Sequence, residues 1–286
     1  MSKKVKIIEC PRDAMQGIKS HFIATDAKAK YINALLRVGF DTIDFGSFVS
    51  PKAIPQMRDT AAVLSKLDLS NTVSKLLAIV ANVRGANDAA VFDEIDFLGY
   101  PFSISENFQM RNTGKTIPQS IKILDELLNI ASKSNKKVVA YLSMGFGNPY
   151  GDIWNVDVVA NWTEKLSNMG VEILSLSDTI GVADGNTISY LFENLIPLYP
   201  KIEFGAHLHT TPTTWHEKVD AAFNAGCLRF DGAIKGFGGC PMAKDDLTGN
   251  MPTEKLLTYF TQQKADTNLS AMSFESAYNE ALDVFY

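Results

Sequence analysis

Residues 171–234 open with Val171-Glu172-Ile173-Leu174-Ser175-Leu176 and pass through a stretch of helical period over 187–198. They continue with Glu203-Phe204-Gly205-Ala206-His207-Leu208-His209, a second helical stretch over 214–224, and Arg229-Phe230-Asp231-Gly232-Ala233-Ile234. Short apolar or β-branched runs separated by segments with apolar residues every three to four positions predict strand–helix–strand–helix–strand. Strands joined through helices pair in parallel by right-handed crossovers. Working outward, the same rhythm extends to both sides. Strands are expected at 5–10, 41–45, 76–80, 94–98 and 137–142, and helices at 26–38, 58–67, 87–92, 118–132, 156–168 and 253–263. Thr25 is the expected N-cap of the first helix and Gly39 its stop. Eight such pairs in about 260 residues fit a closed (β/α)8 TIM barrel of class α/β better than an open sheet. The third unit has the weakest pattern. Residues 266–286 read as an added helical segment on the outside, and no linker or repeat divides the chain, so one catalytic domain over 1–286 is expected.

The composition agrees with that class. Of 286 residues, 46% are hydrophobic and 21% charged, and the net charge is −5. Disorder is excluded, and a nucleic-acid partner is not expected without a basic excess. A local basic pocket for an anionic substrate remains compatible with this balance. The cysteines Cys10, Cys227 and Cys240 fit neither a zinc ribbon nor a disulfide scaffold, which points to a reducing compartment. No run of about 18 apolar residues predicts a membrane span. The first residues lead directly into a strand without a targeting pattern. A cytoplasmic protein is the expectation.

In a (β/α)8 barrel the chemistry gathers where the strands end. The first strand leads into Pro11-Arg12-Asp13-Ala14-Met15-Gln16, and the second carries Asp44 and leads into Ser47-Phe48-Val49-Ser50-Pro51-Lys52. The third ends at Asn82, the fifth leads into Ser143-Met144-Gly145, and the sixth ends Ser177-Asp178-Thr179. His207-Leu208-His209 closes the seventh, and Gly236-Phe237-Gly238-Gly239-Cys240-Pro241 follows the eighth, with Asn250 beyond.

Residues i and i+2 of a strand share a face, so His207 and His209 point the same way. Two imidazoles with Asp13 as a hard oxygen donor and the Asn250 amide oxygen suit six-coordinate Mg²⁺ or Mn²⁺. Spacing alone also admits an Fe(II) facial triad, whereas nothing in the thiol spacing favours zinc. Arg12 is either a helix-entry partner of Asp13 or a guanidinium that meets negative charge on a substrate carbonyl. Asp44 and Asp178 either orient Arg12 or a ligand, or serve as caps and turn acids. Cys240, in a glycine-rich loop above the metal ligands, is a candidate acid or base. Cys10 and Cys227 read as buried fillers, and His21 and His216 as surface residues.

With these motifs in place the chain resembles the hydroxymethylglutaryl-CoA lyases, relatives of the isopropylmalate, homocitrate and citramalate synthases. The likeness covers nearly the whole chain. It rests on Pro11-Arg12-Asp13, on Ser47-Phe48-Val49-Ser50-Pro51-Lys52 with Pro55-Gln56-Met57, and on Ser177-Asp178-Thr179-Ile180-Gly181-Val182. It continues through His207-x-His209, Gly236-Phe237-Gly238-Gly239-Cys240-Pro241, Gly249-Asn250 and Thr253-Glu254. The Gly-Gly-Cys-Pro loop separates lyases from synthases.

The resemblance implies metal ligation by Asp13, His207, His209 and Asn250, and contact of Arg12 with the thioester carbonyl. It implies that either Cys240 or a metal-bound water serves as the acid. Substrate contacts are expected from Arg12, Gln16 and Lys52, with Asp44 and Asp178 as further catalytic residues. The implied substrate is an acyl-CoA, 3-hydroxy-3-methylglutaryl-CoA, split to acetoacetate and acetyl-CoA, a step of leucine degradation and ketone body formation. A homodimer is left open. Ala14 stands where the family usually has glycine, Asp44 where it has glutamate, and Thr210 where it has aspartate. The 144–150 loop lacks a cysteine common in the family. A related 3-hydroxyacyl-CoA, a Claisen-type synthase, and a non-catalytic relative that binds CoA esters are the alternatives. Convergence of Arg12, Asp13, Cys240 and both histidines on one pocket would separate an enzyme from the last of these.

Overall fold

A computed structural model of the chain describes residues 2–239 and 248–286. Eight parallel strands follow one another around a ring: β1 (Lys6–Glu9), β2 (Thr42–Ser47), β3 (Lys75–Ile79), β4 (Phe97–Ser103), β5 (Lys137–Ser143), β6 (Ile173–Asp178), β7 (Glu203–Thr210) and β8 (Arg229–Gly232). Each pairs with the next, and β8 closes on β1 with Lys6 beside Arg229 and Glu9 beside Gly232. The expected TIM barrel is what the chain forms. A two-residue strand, β9 (Gly249–Asn250), adds antiparallel to the end of β7 and sets Asn250 opposite His209.

Two apolar regions stabilise the barrel. The larger lies between the strands and the surrounding helices, among residues such as Leu35, Leu98, Leu124, Leu174, Phe192 and Phe260. The smaller fills one side of the barrel interior with Leu77, Ile79, Phe97, Val139, Tyr141 and Ile173 from β3 to β6. The other side, toward β7, β8 and β1, carries buried polar groups including His209, Arg229 and Asp231.

Helix ends follow their caps. In α6 (Ile117–Lys133) Thr116 and Gln119 form a reciprocal capping box, which satisfies two of the otherwise unpaired N–H groups. Thr25, by contrast, is the first residue of α2 (Thr25–Leu36) and not its N-cap, because its hydroxyl donates to Asp59 at 2.8 Å. The expected helix at 58–67 shortens to α3 (Thr60–Leu64), preceded by a 3₁₀ turn, Pro55–Met57. The Thr60 hydroxyl draws the chain down by bonding the Ser47 N–H and carbonyl, both at 3.0 Å.

The third unit's helix, α4 (Val83–Ala90), starts earlier than expected because the Asn82 side chain accepts the Gly85 N–H. The fourth strand starts later than 94 and runs through Gly99 and Pro101. These residues suggest a turn by sequence, but Gly99 faces the barrel interior, where a Cβ would lie 2.5 Å from Ile79 Cδ1. A short helix missing from the sequence reading, α5 (Glu106–Thr113), follows with Ser105 as its cap.

The remaining helices are α7 (Val156–Asn168), α8 (Gly185–Leu198), α9 (Trp215–Asn224) and α10 (Thr253–Gln262). The added C-terminal segment is α11 (Ala271–Phe285), packed on α2. No helix among the described residues is long and apolar enough to cross a membrane.

Candidate active site

β1 passes directly into α1 (Pro11–Gln16), with Pro11 in its first turn. A proline there has no N–H to leave unpaired. The tight junction sets Arg12 and Asp13 at the mouth of the barrel, both buried. Arg12 Nε donates to the Asp44 oxygens at 3.0 and 3.1 Å, and Nη2 donates to Asp44 Oδ2 at 2.5 Å. Nη1 turns the other way, to Asp13 Oδ1 at 3.0 Å. Burial opposes the Arg12 charge, but Asp44 and then Asp13 outweigh it and raise the pKa, so the guanidinium stays charged. Burial pushes the Asp44 carboxyl up to about 6 against the pull of Arg12.

Asp13 also accepts from Gln16 Nε2 at 2.6 Å and from Asn250 Nδ2 at 2.6 Å. Burial would raise its pKa, yet Arg12, followed by His207, Asn250 and His209, holds it below the ordinary value. Asp13 is therefore an anion at neutral pH.

The two histidines of β7 are each oriented from behind. His207 Nδ1 lies 3.0 Å from Asp231 Oδ2. His209 Nδ1 lies 2.8 Å from the Thr179 carbonyl, which can only accept, so Nδ1 carries the proton. Burial, then the neighbouring His207, lowers the His209 pKa to about 4, so the ring is neutral with a bare lone pair on Nε2. That buried Nε2 has no hydrogen-bond partner among the described residues. An unpaired buried acceptor carries a desolvation cost that a metal ion would remove. One ligand atom each from Asp13, His207 and His209 lies within 4.8 Å of the others, so the three form a candidate metal site. Burial opposes charge on His207, but Asp231 and then Asp13 outweigh it and raise its pKa, so a cation would displace a proton there. A carboxylate and two imidazoles, both fixed through Nδ1, are a fitting donor set for a divalent cation.

These groups line a cavity of about 370 Å³ at the C-terminal end of the barrel. Ser47, Ser50, Asn82, Tyr141 and Ser143 contribute to its wall. Gly238 crosses above Asp13 and Asn250, where a Cβ would come within 2.7 Å of the Asp13 carbonyl oxygen. Its φ of +85° also favours glycine.

The structure thus brings Arg12, Asp13, Gln16, Asp44, His207, His209 and Asn250 together. Lys52 is exposed in the turn after Ser50 and does not reach the cavity wall. Asp178 does not meet Arg12. Its Oδ2 takes the Lys218 ammonium at 2.6 Å, and its Oδ1 accepts the N–H groups of Val182 and Ala183. Lys218 in turn donates to the His209 carbonyl at 2.8 Å, so Asp178 acts behind β7. Cys240 lies outside the described residues. Cys10 and Cys227 are buried free thiols, and burial first, then Asp231, raises the Cys10 pKa well above the ordinary range.

Asp231 and Lys218 were missed from sequence. An acid on an alternating strand beside His207 was the available signal for Asp231, whereas the Lys218–Asp178 pair joins residues 40 apart and leaves no local pattern.

The HMGL-like family model matches residues 4–280. The hydroxymethylglutaryl-CoA lyase YngG of Bacillus subtilis is 35% identical over 284 residues, covering 96% of this chain and 91% of that protein. The 3-hydroxy-3-isohexenylglutaryl-CoA/hydroxy-methylglutaryl-CoA lyase of Pseudomonas aeruginosa is 32% identical, covering 90% of this chain and 85% of its own. A solved HMG-CoA lyase from Acinetobacter baumannii, in complex with coenzyme A and 3-methylmalate, superposes with a TM-score of 0.89 at 26% identity. That match covers 98% of this chain and 91% of the other.

Proposed function

The chain belongs to the HMGL-like family, and on that premise we propose that it is a carbon–carbon lyase splitting 3-hydroxy-3-methylglutaryl-CoA into acetyl-CoA and acetoacetate. The observation that carries the reading is the convergence of Arg12 with Asp13, His207 and His209 on one cavity. In this reading Asp13, His207 and His209, with the Asn250 amide oxygen, hold Mg²⁺ or Mn²⁺. The absence of a thiolate from the set favours these hard cations. The bound cation supplies a Lewis acid that lowers the pKa of a substrate hydroxyl.

Arg12 does the work at the thioester. Asp44 fixes the guanidinium in its plane, and an N–H on each of Nη1 and Nη2 remains for a substrate oxygen. As the 3-hydroxyl passes its proton to solvent water, from which the acid is replenished after it protonates the enolate, the C–O bond becomes a ketone carbonyl and the C2–C3 bond breaks. Its electron pair becomes the enolate of acetyl-CoA, whose oxygen Arg12 stabilises. Protonation of the enolate carbon, assigned to Cys240, completes the cleavage. His209 stays neutral throughout, held by Thr179, and Asp231 keeps the His207 Nε2 directed at the cavity. Gln16 buttresses Asp13, and Lys52 is left to meet the CoA portion outside the cavity.

On the same footing we read residues 1–286 as one catalytic domain, active in the cytoplasm in leucine degradation and ketone body formation, with a homodimer as the assembly to test. The decisive assay compares kcat/KM for a panel of 3-alkyl-3-hydroxyglutaryl-CoA esters, with the isohexenyl ester included because the Pseudomonas relative's name carries it. Fastest turnover of the methyl ester supports the reading, and turnover of none of the panel refutes it.

A further inference from the structure

Inside the barrel, below the cavity, lie groups that the reaction above does not use. Arg229 and Asp231 are two apart on β8 and so face the same way. The Arg229 side chain crosses Gly205 of β7, where a Cβ would come within 3.2 Å of both Arg229 Cδ and Ser175 Oγ. Gly205 leaves the room through which the guanidinium enters the barrel. Arg229 is fully buried, and its contacts are loose: Nη1 reaches Glu203 at 3.4 Å and Asp41 at 3.5 Å. Its Nε and Nη2 have no partner among the described residues, nor do Asp231 Oδ1 and the Tyr141 hydroxyl.

These orphaned atoms belong together. Burial opposes the Arg229 charge, and Asp231 leads the groups that outweigh it, with Tyr141 next. Asp231 holds the other side of the cluster: its Oδ2 meets His207 Nδ1 at 3.0 Å and Ser175 Oγ at 3.5 Å. Tyr141 sets its ring edge-on to His207, with centroids 5.6 Å apart. Buried donors and acceptors left unpaired by protein are the places where internal water binds, each such molecule making about three hydrogen bonds. A charged carboxylate bonded through one oxygen alone is free to pivot, whereas a counter-charge on its other oxygen pins it.

We propose that Arg229 is a positioning residue for His207: through buried water shared with Tyr141 and Asp231 Oδ1, it holds the Asp231 carboxylate in the orientation that fixes the imidazole. This rests on the metal-holding role proposed for His207. The competing account is that Arg229 only neutralises Asp41 and Glu203, in which case its loss changes stability and not metal affinity.

The test is titration calorimetry of Mn²⁺ into purified wild-type protein, Arg229→Met and Arg229→Lys, with thermal melting of each. The methionine fills the space without charge. It should bind Mn²⁺ about 10- to 100-fold more weakly, the usual effect of losing support behind a ligand, with lysine recovering part of the loss. A folded Arg229→Met protein with unchanged Mn²⁺ affinity overturns the proposal. If that variant does not fold, a high-resolution crystal structure of the wild type decides: water joining Arg229 to Asp231 Oδ1 supports it, and a dry contact or void there overturns it. A wild-type protein that takes up no Mn²⁺ defeats the metal reading and this inference with it, a result distinct from a loss in the variant alone.

Discussion

Arg12 holds Asp44 through Nε and Nη2 and is left with one terminal nitrogen, Nη1, on Asp13. A lysine can keep the charge but cannot grip a carboxylate with two donors while presenting others in the same plane. Arg12→Lys is therefore expected to lower kcat by about 10²-fold or more, the effect of losing a donor to a developing oxyanion. KM, metal content and melting temperature should change little. Steady-state kinetics beside metal analysis checks this, and near-normal kcat would reduce Arg12 to a structural role.

The same pair predicts an acid limb. Burial raises Asp44 to about 6, so below that pH its carboxyl takes up a proton and the charged grip on Arg12 is lost. kcat/KM should fall as pH drops through about 6, and Asp44→Asn should be slower at pH 8 and lack this limb. A pH–rate profile of both proteins decides, and an unchanged acid limb in the variant would assign it to another group.

Removal of the metal should abolish turnover, and Mg²⁺ or Mn²⁺ should restore it after EDTA treatment. His209→Ala should lose metal because the bare Nε2 is deleted, while His21→Ala, on the exposed surface, should lose none. Metal analysis of the dialysed proteins reads this directly, and equal losses in both variants would misplace the site.

Glu9 offers a stability test away from the chemistry. Burial raises its pKa from 4.5 to about 8, although Thr253 at 2.5 Å and the Ile234 N–H at 2.9 Å both bond it. Between these values the folded chain holds a proton that the unfolded chain releases. The group's favourable contribution is thus complete below about pH 4.5 and is lost as pH rises to about 8. Glu9→Gln keeps a neutral acceptor and donor in place. At pH 8.5 it should melt above the wild type by at least about 2–4 °C, the shift produced by about 1 kcal/mol. A lower melting point there would show that the carboxylate is well accommodated.

The barrel was readable because its rhythm is local: apolar runs of period two alternate with helical segments, and the count of eight needs no long-range information. The details that failed depend on partners far away in sequence. Thr25 loses its cap role to Asp59, and Pro101 stays inside a strand because neighbouring strands carry it. The approach of His207, His209 and Asp13 could be anticipated from their places at strand ends. That Asp44 holds Arg12 while Asp178 turns instead to Lys218 could not, since both are acids at strand ends and only the closed ring decides which cation each meets. Asp231 sits inside its strand, away from the loop that follows, where the local motifs gather.

The most direct test of the account is product analysis of purified protein incubated with 3-hydroxy-3-methylglutaryl-CoA and Mg²⁺, alongside Asp13→Ala. The account predicts equimolar acetyl-CoA and acetoacetate from the wild type and neither from the variant, which should remain folded. Absence of cleavage by the wild type, or cleavage that survives the loss of Asp13, would contradict it.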